Sequence, residues 1–277
     1  MWGRLVKGGT IFLAGVFIFL SLQPQKANAE ELGPAVIENI RRTEFGLINY
    51  DQEADPYYGY IKGTIPVLIS APHGCKHYRT RESRWKEEDA YTSSLAIELG
   101  RLTGAHVLFL KNRAGEDPNN DIGTQYKKFL RKVVKKNGIR FVLDLHGAAA
   151  DQPFKIDVGT MANVIEQSSC PTFRSIIEKN FSGFEEAIFN RRFAANGRGT
   201  VTCFARNTLR IEAAQIEINA RYRIVESKTS GFKANSNDVL DLVKRLQGIV
   251  TEISQRIQSA GSGFPADNQT TTVAKES

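Results

Sequence analysis

Two of the four histidines in this 277-residue chain close apolar runs that read as strands. "VLISAPHGC" (67–75) ends in His73-Gly74, and "RFVLDLHGA" (140–148) ends in His146-Gly147. An imidazole at a strand end stands on stiff support, and a catalytic zinc site needs two or three such neutral nitrogen or carboxylate ligands with one position left for water. A single histidine there would more often be structural. Two at equivalent ends, each followed by a glycine that lets backbone and substrate come close, favour the metal reading. The third ligand should be an acid, and "KEEDAYT" (86–92) offers Glu87, Glu88 and Asp89 at the start of a helix. Asp89 is the choice and Glu88 the alternative, although acids at a helix start also complement its dipole and cap free amides. Asp144, two residues before His146, shares its strand face and can orient the imidazole as an outer partner. Glu217 sits in "AAQIEIN", a strand that otherwise reads as buried, where an acid needs a partner or a job. The job would be to move the proton of a metal-activated water. A salt bridge to Arg221 or Arg223 is the plainer reading.

The elements that must position these residues follow from periodicity. "IPVLISA", "HVLFL" (106–110) and "RFVLDL" read as strands joined by helices over "DAYTSSLAIELGRL" and "TQYKKFLRKVVKKNG", the latter stopped by Gly138. "KIDVGTM" (155–161), "GTVTCF" (199–204) and "AAQIEIN" (213–219) are further strand candidates, with a helix over "TFRSIIEKNF" between the first two. "NDVLDLVKRLQGIVTEISQRI" carries a long apolar stripe and reads as a closing helix. The expected fold class is α/β, with a mixed, mostly parallel central sheet flanked by helices. In such sheets ligands gather beyond the carboxyl ends of the strands, where both histidines fall.

Composition sets the outer bounds. Residues 1–29 run from basic Arg4 and Lys7 through an apolar core to Ala27-Asn28-Ala29, the plan of a cleavable signal peptide. The expectation is therefore an exported chain, periplasmic or extracellular, with one catalytic domain over 30–260 and a disordered tail over 261–277. Loss of residues 1–29 removes three cations and no acids, lowering the formal charge from +7 to +4. The basic knot at 126–136 reads as the wet face of an amphipathic helix, so no nucleic-acid partner is expected and membrane contact is confined to the N-terminal segment. Of the three cysteines, Cys170 and Cys203 could pair, and Cys75 reads as a small buried residue.

Together "SAPHG", "EEDAYT", "DLHG" and "QIEIN", in this order over about residues 45–255, resemble the N-formylglutamate amidohydrolase family. The resemblance implies a zinc carboxypeptidase-like fold, one Zn2+ per chain held by His73, Asp89 and His146, and Glu217 as general base and acid. It also implies an arginine before an Asp-x-Asn-Arg element that binds the substrate carboxylate. Here "NRAGEDPNND" (112–121) supplies Arg113, Asp117 and Asn119, but Asn120 stands where the last arginine is expected. Arg113 is then the first choice for catalytic support, with Asn119, Arg192 and Arg221, and beyond them the "RTRESR" segment, as candidates for substrate binding. Cys75 replaces a family glycine and is expected to narrow the pocket mouth. The implied activity is hydrolysis of an amide or N-acyl bond in a small carboxylate-bearing substrate or short peptide, such as an N-acyl amino acid or a γ-glutamyl peptide. An exported protein that binds a small anion without chemistry, or a membrane-tethered structural protein, is the alternative. A serine or cysteine hydrolase is disfavoured, since no "GxSxG" elbow is present.

Overall fold

The structure is a computed structural model that describes residues 32–161, 171–229 and 231–260. In chain order it comprises α1 (Pro34–Leu47), β1 (Asn49–Glu53), β2 (Tyr58–Ile61), β3 (Val67–Ala71), β4 (His77–Arg79), β5 (Arg84–Lys86), α2 (Thr92–Thr103), β6 (His106–Leu110) and β7 (Asn112–Arg113). Then come α3 (Gln125–Asn137), β8 (Phe141–Ala148), β9 (Ile156–Gly159), α4 (Pro171–Asn180), β10 (Ala187–Phe189), α5 (Val201–Asn207), β11 (Glu212–Asn219), α6 (Ala220–Arg223) and α7 (Ser236–Ala260).

Seven strands form the main sheet in the order β10-β9-β11-β8-β3-β6-β2. The central four, β11, β8, β3 and β6, are parallel, while β2 pairs antiparallel with β6 and β9 antiparallel with β11. The fold is therefore mixed and mostly parallel, flanked by helices. Strands covered on both faces need near-continuous apolar runs, and β3 (VLISA) and β6 (HVLFL) are buried at every position. The main core runs from Val36 on α1 through the sheet to Ile253 on α7, and Met161, Ala195 and Cys203 form a small separate cluster.

The helices start and stop where local chemistry dictates. Gly104 ends α2 in the left-handed conformation (φ 77°), its N–H donating to the Gly100 carbonyl. Thr124 caps α3 by accepting from the Lys127 N–H, and Gly138 (φ 62°) ends it. The stripe of α7, Val239, Leu242, Val243, Leu246, Ile249, Val250 and Ile253, is buried. The exposed face of α3 carries Lys128, Arg131, Lys132, Lys135 and Lys136, but Lys127 is buried and its ammonium donates to the carbonyls of Asp121 and Gly199.

One expected strand is a helix. "GTVTCF" folds as the N-terminus of α5, because the Thr200 hydroxyl accepts from the Cys203 N–H and caps the first turn. That cap overrides the β-branched residues Thr200, Val201 and Thr202, whose bias toward strand is weak and context-dependent. Residues 1–29 and the tail from 261 lie outside the described residues. No helix among the described residues is long and apolar enough to cross a membrane. Cys75 and Cys203 are free and buried, and Cys170 lies outside the described residues.

Candidate active site

At the carboxyl ends of β3 and β8 the chain opens a cleft of about 600 Å³. His73, Asp89, His146, Glu217, Arg79, Asn119 and Arg192 are among the residues that line it. A larger groove of about 750 Å³ lies at the opposite ends of the strands, near Gly63, Gly104 and Ala105, away from both histidine clusters described below.

His73 sits two residues beyond β3, and His146 lies within β8, which continues to Ala148. Asp89 precedes α2. Its N–H donates to the His73 carbonyl at 2.8 Å, and its own carbonyl accepts from the Thr92 N–H and hydroxyl. Asp89 Oδ2 stands 3.5 Å from His73 Nδ1 and 3.4 Å from His146 Nδ1. The opposite nitrogen of each ring meets a carboxylate of its own: His73 Nε2 lies 2.7 Å from Asp117 Oδ1, and His146 Nε2 lies 3.1 Å from Asp144 Oδ2. A ring that donates from Nε2 keeps its Nδ1 lone pair free, so both lone pairs converge on the space beside Asp89. Burial works against charge on His146, yet Asp144 and Asp89 raise its pKa well above the ordinary value.

Asp117, the acid of the Asp-x-Asn element, is buried beneath His73. Its Oδ1 also accepts from the Asn119 N–H at 2.9 Å, and its Oδ2 accepts from Arg79 Nε at 2.8 Å. Burial opposes its charge, but His73, His77 and Arg79 hold its carboxyl below the usual range. His77 stacks flat on His73 with ring centroids 3.9 Å apart, and its Nδ1 lies 3.1 Å from the Cys75 carbonyl. Burial, together with the charge of His73, pushes His77 down to about 3.

Two groups can therefore hold a metal ion: His73, Asp89 and His146, or His73, His77 and Asp117. Zinc bonds of about 2.0–2.1 Å in tetrahedral array place neighbouring ligand atoms about 3.3–3.4 Å apart. The Nδ1 to Oδ2 separations of 3.5 and 3.4 Å in the first group match that edge. In the second, 2.7 Å between His73 Nε2 and Asp117 Oδ1 is a hydrogen-bond length, and both Asp117 oxygens already accept from other donors.

Glu217 and His146 are direct partners across β11 and β8, with Gln215 and Asp144 forming the rung two residues back, so all four side chains share one sheet face. Glu217 is 7% exposed, and Gln215 Nε2 donates to its Oε1 at 2.8 Å. Burial first, then the nearby Asp89, raises its pKa to about 7. No ion pair ties it to Arg221 or Arg223 among the described residues.

The remaining expected residues divide. Asn119 lines the cleft, but its Oδ1 accepts from the Val201 N–H, so it joins the Asp117 loop to the start of α5. Arg192 lines the cleft from a strap, residues 190–197, that Asp157 pins by accepting from the N–H groups of Arg192 (2.7 Å) and Phe193 (2.9 Å). Arg113 is turned elsewhere, paired with Glu53 and lying 4.7 Å over the Trp85 ring. Arg221 is exposed on α6 and also outside the cleft lining. Glu88 is outside that lining too, its Oε2 buried without a hydrogen-bond partner among the described residues. Cys75 is buried in the core instead of at the pocket mouth. Neither glycine after a histidine is reserved for substrate: a Cβ at Gly74 would overlap Ser93 of α2, and one at Gly147 would overlap the Arg223 guanidinium.

Fold and site together define a mixed, mostly parallel α/β protein with a buried His/Asp cluster at the strand ends. The chain resembles the crystal structure of N-formylglutamate amidohydrolase from Ralstonia eutropha JMP134, at 14% identity and a TM-score of 0.52, over 73% of this chain and 98% of that one. Weaker likenesses are to a bacteriophage poly-gamma-glutamate hydrolase (12% identity, TM-score 0.45, 75% and 93% covered) and a metallo-carboxypeptidase from Burkholderia cenocepacia (11%, 0.42, 80% and 68%). The first likeness establishes shared fold, and nothing further rests on the other two. No protein-family model matches the sequence, and no curated protein matches it.

Proposed function

We propose that this protein is a zinc-dependent hydrolase of amide or N-acyl bonds in small substrates that carry a carboxylate, with His73 Nδ1, His146 Nδ1 and Asp89 holding the metal. The observation that carries this reading is the triangle those atoms form, with edges of 3.5 and 3.4 Å to Asp89 and each ring's far nitrogen on a carboxylate. Outer carboxylates of this kind fix the tautomer and raise ligand basicity. When bound there, zinc would supply a Lewis acid for the scissile carbonyl and acidify water toward neutrality.

The chain's own residues supply the rest. Glu217, raised to about 7, can accept a proton from water and return it to the leaving nitrogen near neutral pH. Gln215 holds one of its oxygens and leaves the other for that exchange. Arg192 is the arginine on the cleft wall that, among the described residues, has no carboxylate partner at salt-bridge distance, so it takes the substrate carboxylate in place of Arg113 and Arg221. Arg79, also in the wall, is committed to Asp117 and Glu82. Export is part of the same proposal and is supported by the order of basic, apolar and Ala-Asn-Ala segments in residues 1–29.

The test is Glu217→Gln. Zinc content should stay at one per chain while turnover of N-acyl amino acids falls by about 10²–10⁴-fold, the range for loss of a general acid–base. Wild-type rates in this variant would remove Glu217 from the chemistry.

A further inference from the structure

Three segments far apart in sequence must be held in register for the cleft to exist: the turn carrying Asp89, the end of β8 carrying His146, and the end of β11 carrying Glu217. One side chain touches all three. Arg223, on the short helix that follows β11, donates from Nε to the Ala90 carbonyl at 3.0 Å, and from Nη1 to the Ala148 carbonyl at 2.9 Å and the Ile218 carbonyl at 3.0 Å. Ala90 adjoins Asp89, Ala148 lies two residues beyond His146, and Ile218 adjoins Glu217.

Arg223 is only 5% exposed, and among the described residues no carboxylate pairs with it at salt-bridge distance. Burying a guanidinium against carbonyls alone is expensive, and Asp89 and Glu217 are the first of the negative charges that offset the cost. Only a planar fork can reach carbonyls in different directions from one position, since a lysine presents its donors from a single point. The chain also clears space for it. Gly147, immediately after His146, is where any Cβ would overlap Nε, Cζ and Nη2 of Arg223. The glycine of the "DLHG" run is thereby explained by an arginine 76 positions later in the chain.

We infer that Arg223 is a positioning residue that locks the Asp89 turn, the His146 strand end and the Glu217 strand end into one arrangement through three carbonyls. The geometric part stands by itself, and its consequence for metal affinity rests on the zinc reading above. If that reading holds, Arg223 governs how well the ligand triangle is preformed without touching metal or substrate.

The experiment measures hydrogen exchange by mass spectrometry on the wild-type protein and on Arg223→Ala, Arg223→Lys and Gly147→Ala, with α7 as internal reference. Zinc affinity is measured in parallel by competition with a chelating dye. In Arg223→Ala, peptides spanning 88–92, 146–150 and 216–220 should lose protection together while α7 keeps its own. Zinc should bind about 10–100-fold more weakly, the range for loss of an outer-sphere support. Methylguanidinium added to Arg223→Ala should restore part of both, Arg223→Lys should be intermediate, and Gly147→Ala should reproduce the pattern by displacing the guanidinium. Loss of protection confined to 220–224, or a folded Gly147→Ala with wild-type exchange in all three segments, overturns the inference. If Arg223→Ala does not fold, Gly147→Ala decides alone. A wild-type protein that binds no zinc while the three segments still loosen together would sink the proposed function and leave this inference standing.

Discussion

Each imidazole of the site lies between Asp89 and a carboxylate of its own, and the two arrangements are built in different ways. His146 takes its carboxylate from its own strand: Asp144 is two residues back, on the same face by strand periodicity, and lies 3.1 Å from Nε2. His73 takes its carboxylate from a loop 44 residues away, and that loop needs its own supports. Asp117 is held by Arg79 Nε and the Asn119 N–H, its own N–H donates to Asp121, and Asn119 in turn anchors the start of α5. One half of the site is therefore encoded locally by a strand, and the other is assembled from long-range contacts. The difference predicts equal sensitivity to loss of a metal ligand and unequal sensitivity to loss of the outer carboxylates.

The largest expected effect makes the halves look alike. His73→Ala and His146→Ala should each abolish stoichiometric zinc and, with it, amide turnover, as measured by elemental analysis and rate assay. Tight zinc in either variant would detach that imidazole from the centre.

Replacing the outer carboxylates should separate the halves. Asp144→Asn and Asp117→Asn should each weaken zinc by about 10–100-fold in chelator competition. Asp117→Asn should also cost more in unfolding free energy, since it weakens charge-assisted bonds from both His73 and Arg79, each worth about 1.5–3 kcal/mol. Asp144 keeps one oxygen buried without a hydrogen-bond partner among the described residues, so its loss costs less stability. Equal denaturation midpoints for the two variants would contradict the distinction between a strand-built and a loop-built half.

Farther from the centre, the Thr200 hydroxyl caps the first turn of α5 beside Asn119 Oδ1, which accepts from the Val201 N–H. Thr200→Ala should lower stability by about 1 kcal/mol, and by more than a substitution at exposed Thr229. Urea melts check this. The smallest effect concerns Lys127, whose pKa burial lowers to about 8. Below pH 8 the ammonium is charged in both folded and unfolded chains and burial disfavours the fold. Between pH 8 and the unfolded value near 10.5 the unfolded state binds more protons, so stability rises with pH. Wild-type protein should therefore gain stability relative to Lys127→Met across that window, and parallel pH curves would show that Lys127 stays charged in the fold.

Legibility in the sequence follows the same division. β3, β6, β8 and β11, with α2, α3 and α7, announce themselves because burial on two faces or one helical stripe forces a periodic pattern. α5 was misread because Thr, Val and Thr favour strands until Thr200 caps the turn. At the site, His73, Asp89, His146, Asp144 and Glu217 could be singled out because strand ends and strand faces are readable, and the structure brings them together. The task of Asp117 could not be read. "EDPNND" has the composition of a turn, and nothing local shows that it folds back beneath His73. The arginines fared worst, because a long side chain can serve several neighbours. Arg113 lies on Trp85 and Glu53, Arg221 faces solvent, and Arg223, weighed only as a salt-bridge partner for Glu217, is the one buried among the strand ends.

The central claim is most directly tested by a crystal structure of the zinc-loaded protein with anomalous scattering recorded at the zinc edge. The account predicts one peak within about 2.0–2.2 Å of His73 Nδ1, His146 Nδ1 and an Asp89 oxygen, with Asp117 and Asp144 on the far nitrogens of the two rings. A peak on the other side of His73, between its Nε2, His77 and Asp117, would contradict it.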